Sequence, residues 1–163
     1  MSNYSLRRGK KEDLPRILEL IRELAEYEKE AHQVETTVEQ MEKDSFGPDP
    51  VFYFFVLEDE TGFIPGMALY YYRYSTWKGR RLYLEDLVVT ESERGKGLGK
   101  LLFERVMIEA HDTGCSGMVW QVLDWNEPAI NFYKKYDAGF DGEWINCWVD
   151  AEQLNEVARK GLG

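Results

Sequence analysis

The stretch from Arg81 to Asp112 constrains this chain more than any other part of it. Residues 81–90, with Leu82, Tyr83, Leu84, Leu87, Val88 and Val89, read as a strand. A turn holding Gly95, Gly97 and Gly99 then leads into a helix over 97–112, where Leu98, Leu101, Leu102 and Val106 share one stripe. Glycine lets backbone N–H groups come close to a ligand, and a helix N-terminus favours anions. Arg94, Lys96 and Lys100 add positive charge here, in a chain with 20 Lys and Arg against 30 Asp and Glu and a formal net charge of −10. That local reversal of sign points to a phosphate or pyrophosphate. A P-loop spacing fails, because Lys100 stands five positions after Gly95 and is followed by Leu101. A dinucleotide G-x-G-x-x-G fails too, because Lys100 stands three after Gly97. The spacing present is R-x-x-G-x-G across Arg94, Gly97 and Gly99.

The rest of the chain surrounds this unit with alternating elements. Residues 4–8 read as an opening strand. A helix over 12–30 follows from the spacing of Leu14, Ile17, Leu18, Ile21, Leu24 and Ala25, and a second helix is capped at Thr36 by a T-x-x-E box with Glu39. Strands are predicted at 51–58, 64–74, 118–123 and 143–149, and helices at 126–136, capped by Asn126, and at 150–159. The order β-α-α-β-β-β-α-β-α-β-α predicts an α/β fold with a mixed sheet among helices, and 163 residues without a linker predict a single domain over 1–163.

Composition narrows the partners. An acidic chain argues against nucleic acid and suits a cationic ligand. No run of about 18 apolar residues exists, so no membrane span is expected. The N-terminal stretch carries charge without an apolar signal core, and Cys115 and Cys147 form no CxxC pair, so a cytoplasmic, reducing location is expected. Two histidines far from any second ligand cluster predict no metal site.

With its strand and helix in place, R-x-x-G-x-G resembles the acyl-CoA pyrophosphate loop of the GNAT N-acetyltransferase superfamily. Trp125-Asn126-Glu127-Pro128 with Asn131-Phe132-Tyr133 resembles the second cofactor-contacting segment of that superfamily, and residues 6–28 resemble its opening strand and helix. Tyr83-Leu84-Glu85-Asp86, taken with those motifs, is similar to the diamine (polyamine) branch. Ser75-Thr76-Trp77-Lys78-Gly79-Arg80 is closer to thialysine-acetylating members, because spermidine/spermine members tend to carry an acid where Ser75 stands. The resemblance implies a central, twisted, mostly antiparallel sheet flanked by helices, acetyl-CoA as co-substrate without a metal, a small cationic amine as acceptor, and a homodimer. Segments 51–55 and 68–77 are the aromatic-rich candidates for the shared surface. Where the family places a glycine, this chain has Asp137, which tolerates a left-handed cap better than most residues.

An alkyl amine is largely protonated near neutral pH, with a pKa of about 10.4, and must lose a proton before it attacks a thioester. Glu85 and Asp86 are the carboxylates available. In a regular strand they face opposite sides, and only a bulge brings them together; the resemblance implies that bulge and gives Glu85 the role of base. It also nominates Tyr133 to protonate the leaving thiolate. Backbone N–H groups of Leu87, Val88 and Val89 are the candidate donors to the oxyanion, with Arg94, Gly95, Lys96, Gly97, Leu98, Gly99, Lys100, Asn126 and Lys135 as the other cofactor contacts. Tyr27, Glu28, Trp77 and Trp125 are candidates for an amine pocket. Two alternatives stay open on the residues alone: acetylation of a protein or peptide amine, and a non-catalytic acyl-CoA-binding module.

Overall fold

In the computed structural model, residues 3–161 are described, and they divide into two compact units between Leu123 and Asp124. The first unit is a five-stranded sheet in the order β1-β2-β3-β4-β5: β1 (Tyr4–Arg8), β2 (Tyr53–Asp59), β3 (Gly66–Ser75), β4 (Gly79–Val89) and β5 (Met118–Val119). Neighbours pair antiparallel except β4 and β5, which run parallel. The mixed, mostly antiparallel sheet is as expected. Helices α1 (Leu14–Tyr27) and α2 (Val38–Phe46) cover one face, and α3 (Leu98–Asp112) covers the other.

Alternation along the strands builds both cores. Phe54, Val56, Met67, Leu69 and Val88 pack with Leu14, Ile17, Leu18, Leu20 and Met41 on the α1 side. The intervening residues Phe55, Leu57, Ala68, Tyr70, Leu82 and Leu84 are buried as well, as are Leu102, Phe103 and Val106 of α3. Strands buried on both faces lose the polar alternation of a surface strand, which is why 51–57 and 67–70 read as near-continuous apolar runs. The two segments nominated as a shared surface therefore spend Phe54, Phe55 and Tyr70 on the core and leave Val51, Tyr53, Tyr74 and Trp77 exposed.

The second unit carries α4 (Glu127–Lys134) and α5 (Ala151–Lys160). The Asn126 side chain caps α4 by accepting from the Ala129 N–H (3.4 Å), and Asp150 with Gln153 forms a capping box on α5.

Three expectations need correction. The strand predicted at 143–149 makes no ladder: residues 137–150 have no regular structure, and Trp144, Ile145 and Trp148 are exposed. The strand predicted at 118–123 contracts to two residues. The cap of α2 is Thr37, whose hydroxyl accepts from the Gln40 N–H (3.1 Å), one residue after the capping box read from Thr36; adjacent threonines make a register error of one easy. Asp137 does adopt the left-handed conformation, with φ +54.

Candidate active site

Between Leu69↔Asp86 and Tyr70↔Leu84 the β3–β4 register shifts, leaving Glu85 as an extra residue on β4. This is the bulge on which the pairing of the two carboxylates depends. Asp86 lies opposite Leu69, whose side chain belongs to the core on the α1 side. Tyr71, two residues further along β3 and so on the same face, donates its hydroxyl to Glu85 Oε2 at 2.9 Å. Both carboxylates therefore look toward α1. Glu28 joins them as the C-cap of α1. A carboxylate at a helix C-terminus is opposed by the helix dipole, so that placement has an electrostatic cost.

Among the described residues, no Lys or Arg pairs with Glu28, Glu85 or Asp86. Burial pushes the Asp86 carboxyl up to about 7, and the charges of Glu85 and Glu28 push it the same way. The Glu28 carboxyl is raised by burial and then by Glu85. Burial and the bond to Glu85 hold the Tyr71 phenol well above its ordinary value, so it remains a donor. Tyr71 stacks on Tyr83 with ring centroids 5.3 Å apart, which fixes the phenol that holds Glu85.

From Leu84 to Val89, β4 has its ladder on β3 alone, because β5 pairs only with Leu82 and Tyr83. Thr90 N–H donates to Pro65 O at 2.7 Å. The antiparallel alternation then turns Val88 N–H onto β3 and the Leu87 and Val89 N–H groups toward the edge that lacks a strand. Arg94 reaches that same edge and donates from Nε to Val89 O at 3.0 Å, with its guanidinium 5.4 Å from the centre of the Tyr27 ring.

The turn itself has Gly95 at φ +79 and Gly97, the N-cap of α3, at φ +78. A Cβ on Gly95, Gly97 or Gly99 would meet nothing within 4 Å, so the space above the loop is open. The basic residues are less dominant than their sequence suggests: Lys96 Nζ lies 2.7 Å from Glu93, and Lys100 lies 3.8 Å from Glu104. Leu98 is buried, so its side chain serves the core while its backbone opens α3.

Trp77 stands 84% exposed in the β3–β4 hairpin turn, where Ser75 Oγ accepts from the Trp77 and Lys78 N–H groups. Within the second unit, Tyr133 is buried in an edge-on contact with Phe132 (5.4 Å), Lys135 is the C-cap of α4, and Trp125 is exposed. Reading the sequence missed Tyr71. Following the period of two along Leu69, Tyr71, Arg73 and Ser75 is the signal that finds it.

Residues 14–140 match the Acetyltransferase (GNAT) family. The chain is 39% identical over 170 residues to the thialysine N-epsilon-acetyltransferase of Bos taurus, covering 98% of this chain and 100% of that protein. It is 36% identical over 167 residues to spermidine/spermine N(1)-acetyltransferase-like protein 1 of Homo sapiens, covering 97% of this chain and 24% of the longer relative. Among solved structures, an integron cassette protein from V. cholerae superposes with a TM-score of 0.75 at 21% identity, over 96% of this chain and 98% of the other, a likeness of fold.

Proposed function

The chain belongs to the acetyltransferase (GNAT) family, and from that premise we propose that it transfers the acetyl group of acetyl-CoA to the primary amine of a small diamine, polyamine or lysine-like acceptor in the cytoplasm. The observation that carries this reading is the β4 bulge, which gathers Glu85 and Asp86 with Glu28 on one face, where among the described residues no Lys or Arg pairs with them. A protonated amine supplies the missing charge. The bovine relative named for thialysine supports a lysine-like acceptor.

The residues present fit acetyl-CoA: open space lies over Gly95, Gly97 and Gly99, and two N–H groups of β4 point to an edge without a strand. When bound, it supplies an activated acetyl thioester. Glu85, held by Tyr71, takes the amine's proton directly or through water, and Asp86, titrating near neutrality, is matched to share that task. The Leu87 and Val89 N–H groups donate to the carbonyl oxygen as negative charge grows on it. Asn126 shapes the start of α4, and Tyr133 on that helix gives its phenolic proton to the departing sulfur. Arg94, with the loop from Gly95 to Lys100, and Lys135 hold the phosphates.

Mass spectrometry of a mixed amine panel incubated with acetyl-CoA tests the reading. Monoacetylated small diamines or lysine-like amino acids are expected; products found only on added basic peptides would give the role to a protein acetyltransferase, and no product with retained acetyl-CoA binding would leave a binding module. We also propose a homodimer, with exposed Val51, Tyr53 and Tyr74 among the residues available to a second copy. Light scattering should give twice 19.1 kDa, and a mass of 19.1 kDa at micromolar concentration contradicts it.

A further inference from the structure

Helix α1 is held to the sheet in two different ways along its length. Apolar packing fixes its first part, where Leu14, Ile17, Leu18 and Leu20 are buried. Beyond Leu20 no residue of α1 is buried, although Ile21 and Leu24 still touch the core from partly buried positions. That weakly packed end carries Tyr27 and stops at Glu28. It also meets a force that pushes it away from the sheet, because Glu28 faces the like charges of Glu85 and Asp86.

Polar ties hold this end instead. Arg16, Glu23 and Tyr27 follow one another by seven and four residues, which puts them on one stripe of the helix. Arg16 Nε donates to Ile64 O at 3.0 Å. The Thr90 hydroxyl lies 2.9 and 2.8 Å from the two carboxylate oxygens of Glu23 and donates to them. Tyr27 lies under the Arg94 guanidinium at 5.4 Å. Thr90 ends β4; it is buried, and its own N–H is fixed on Pro65 O at 2.7 Å, so Glu23 is tied to a rigid point. A hydroxyl donating to an ionised carboxylate is among the stronger hydrogen bonds, and Arg16 Nη1, 3.7 Å from Glu23 Oε1, answers the remaining charge. Glu23 precedes Glu28 by five residues, about 7.5 Å along the axis, so a helix end released at Glu23 carries Glu28 with it.

We propose that Glu23 and Thr90 are a positioning pair for the acceptor site: their bond holds the end of α1 against β4, which keeps Glu28 beside Glu85 and Asp86. The pair acts through Glu28 and does not itself touch the acceptor. This rests on the small-amine reading above and adds to it what holds the carboxylates together against their own repulsion.

The test measures kcat, the KM for the amine and the KM for acetyl-CoA, with thialysine and cadaverine as acceptors, beside the melting temperature of each variant. Thr90→Val keeps the shape and removes the hydroxyl. It should raise the amine KM about ten-fold, the loss appropriate to a hydrogen bond on a charged group, while kcat and the KM for acetyl-CoA stay near wild type. Thr90→Ser should restore the amine KM. Glu23→Ala, at a partly exposed position, should raise the amine KM by a similar factor and carries the test if Thr90→Val does not fold. Combining the two should add no further loss, because both remove the same bond. A lower melting temperature with an unchanged amine KM overturns the pair, and so does a loss confined to kcat, which would place the effect on the Leu87 and Val89 donors. Either result leaves the acetyltransferase reading intact. Failure of the wild type to acetylate both amines overturns the small-amine reading and the pair with it.

Discussion

On the α3 face of the sheet, Glu109 is met by two guanidiniums and a phenol; on the α1 face, Glu28, Glu85 and Asp86 are met by one phenol and, among the described residues, by no Lys or Arg. Glu109 is buried, with Arg8 bound through both oxygens at 2.8 and 3.0 Å, Arg105 at 3.0 Å and the Tyr70 hydroxyl at 3.4 Å. Those two arginines also lie over Phe55, at 5.1 and 4.3 Å, which ties the network to the core. A buried carboxylate with all its charge answered is a structural part. Three carboxylates crowded together without an answering charge stay unfavourable until a ligand arrives. The same residue type thus contributes to stability on one face and to recognition on the other.

Exchanging the charge on each face breaks this comparison most sharply. Glu85→Gln should lower kcat by roughly 10²–10⁴ with the melting temperature unchanged or higher. Glu109→Gln should instead cost about 3 kcal/mol in a denaturant titration, at the low end for breaking a buried pair because Arg8 reaches water, with activity per folded molecule retained. The roles assigned to the two faces are reversed if Glu109→Gln abolishes turnover while Glu85→Gln unfolds the protein.

A smaller effect sharpens the electrostatic half. The Asp86 carboxyl titrates near 7 in the folded chain, against about 3.9 when unfolded, so between those values the folded state holds the extra proton. Its contribution therefore destabilises progressively as pH rises from about 4 to 7 and is constant above. Asp86→Asn should remove that slope and stabilise the protein at pH 8 by an amount on the order of 1–3 kcal/mol, read from denaturation at several pH values. Loss of stability at pH 8 would mean that an unrecognised cation already answers this carboxylate.

Tyr71→Phe keeps the ring on Tyr83 and removes only the hydroxyl from Glu85. A loss of about ten- to a hundred-fold in kcat is expected, with the melting temperature nearly constant. An unchanged kcat would reduce Tyr71 to packing. The smallest effect belongs to Ser75→Asp. Ser75 Oγ already accepts from two backbone N–H groups of the hairpin turn, and an aspartate would be drawn to the same donors. Its preference for longer polyamines should shift by no more than about 0.2–1 kcal/mol in competition assays.

Periodicity made the helices and four of the strands legible, because a buried stripe or an alternating run is written locally in the residues. What was not legible depends on pairing. Trp144, Ile145 and Trp148 have the composition of a strand, yet a strand exists only where a neighbour accepts its hydrogen bonds, and 143–149 makes no ladder. Adjacent acids at 85 and 86 are visible in the sequence, whereas their common face follows from a register shift against Leu69 and Tyr70. Glu28 gains its meaning from ending α1 beside them.

The two-residue β5 has one more consequence. With β5 absent beyond Tyr83, consecutive amides of β4 alternate between a ladder on β3 and an edge with no strand. Deuterium should enter Leu87 and Val89 far faster than Val88 between them, and an acyl donor lying along that edge should slow only the fast pair. This one strand is therefore a built-in isotope gauge of occupancy.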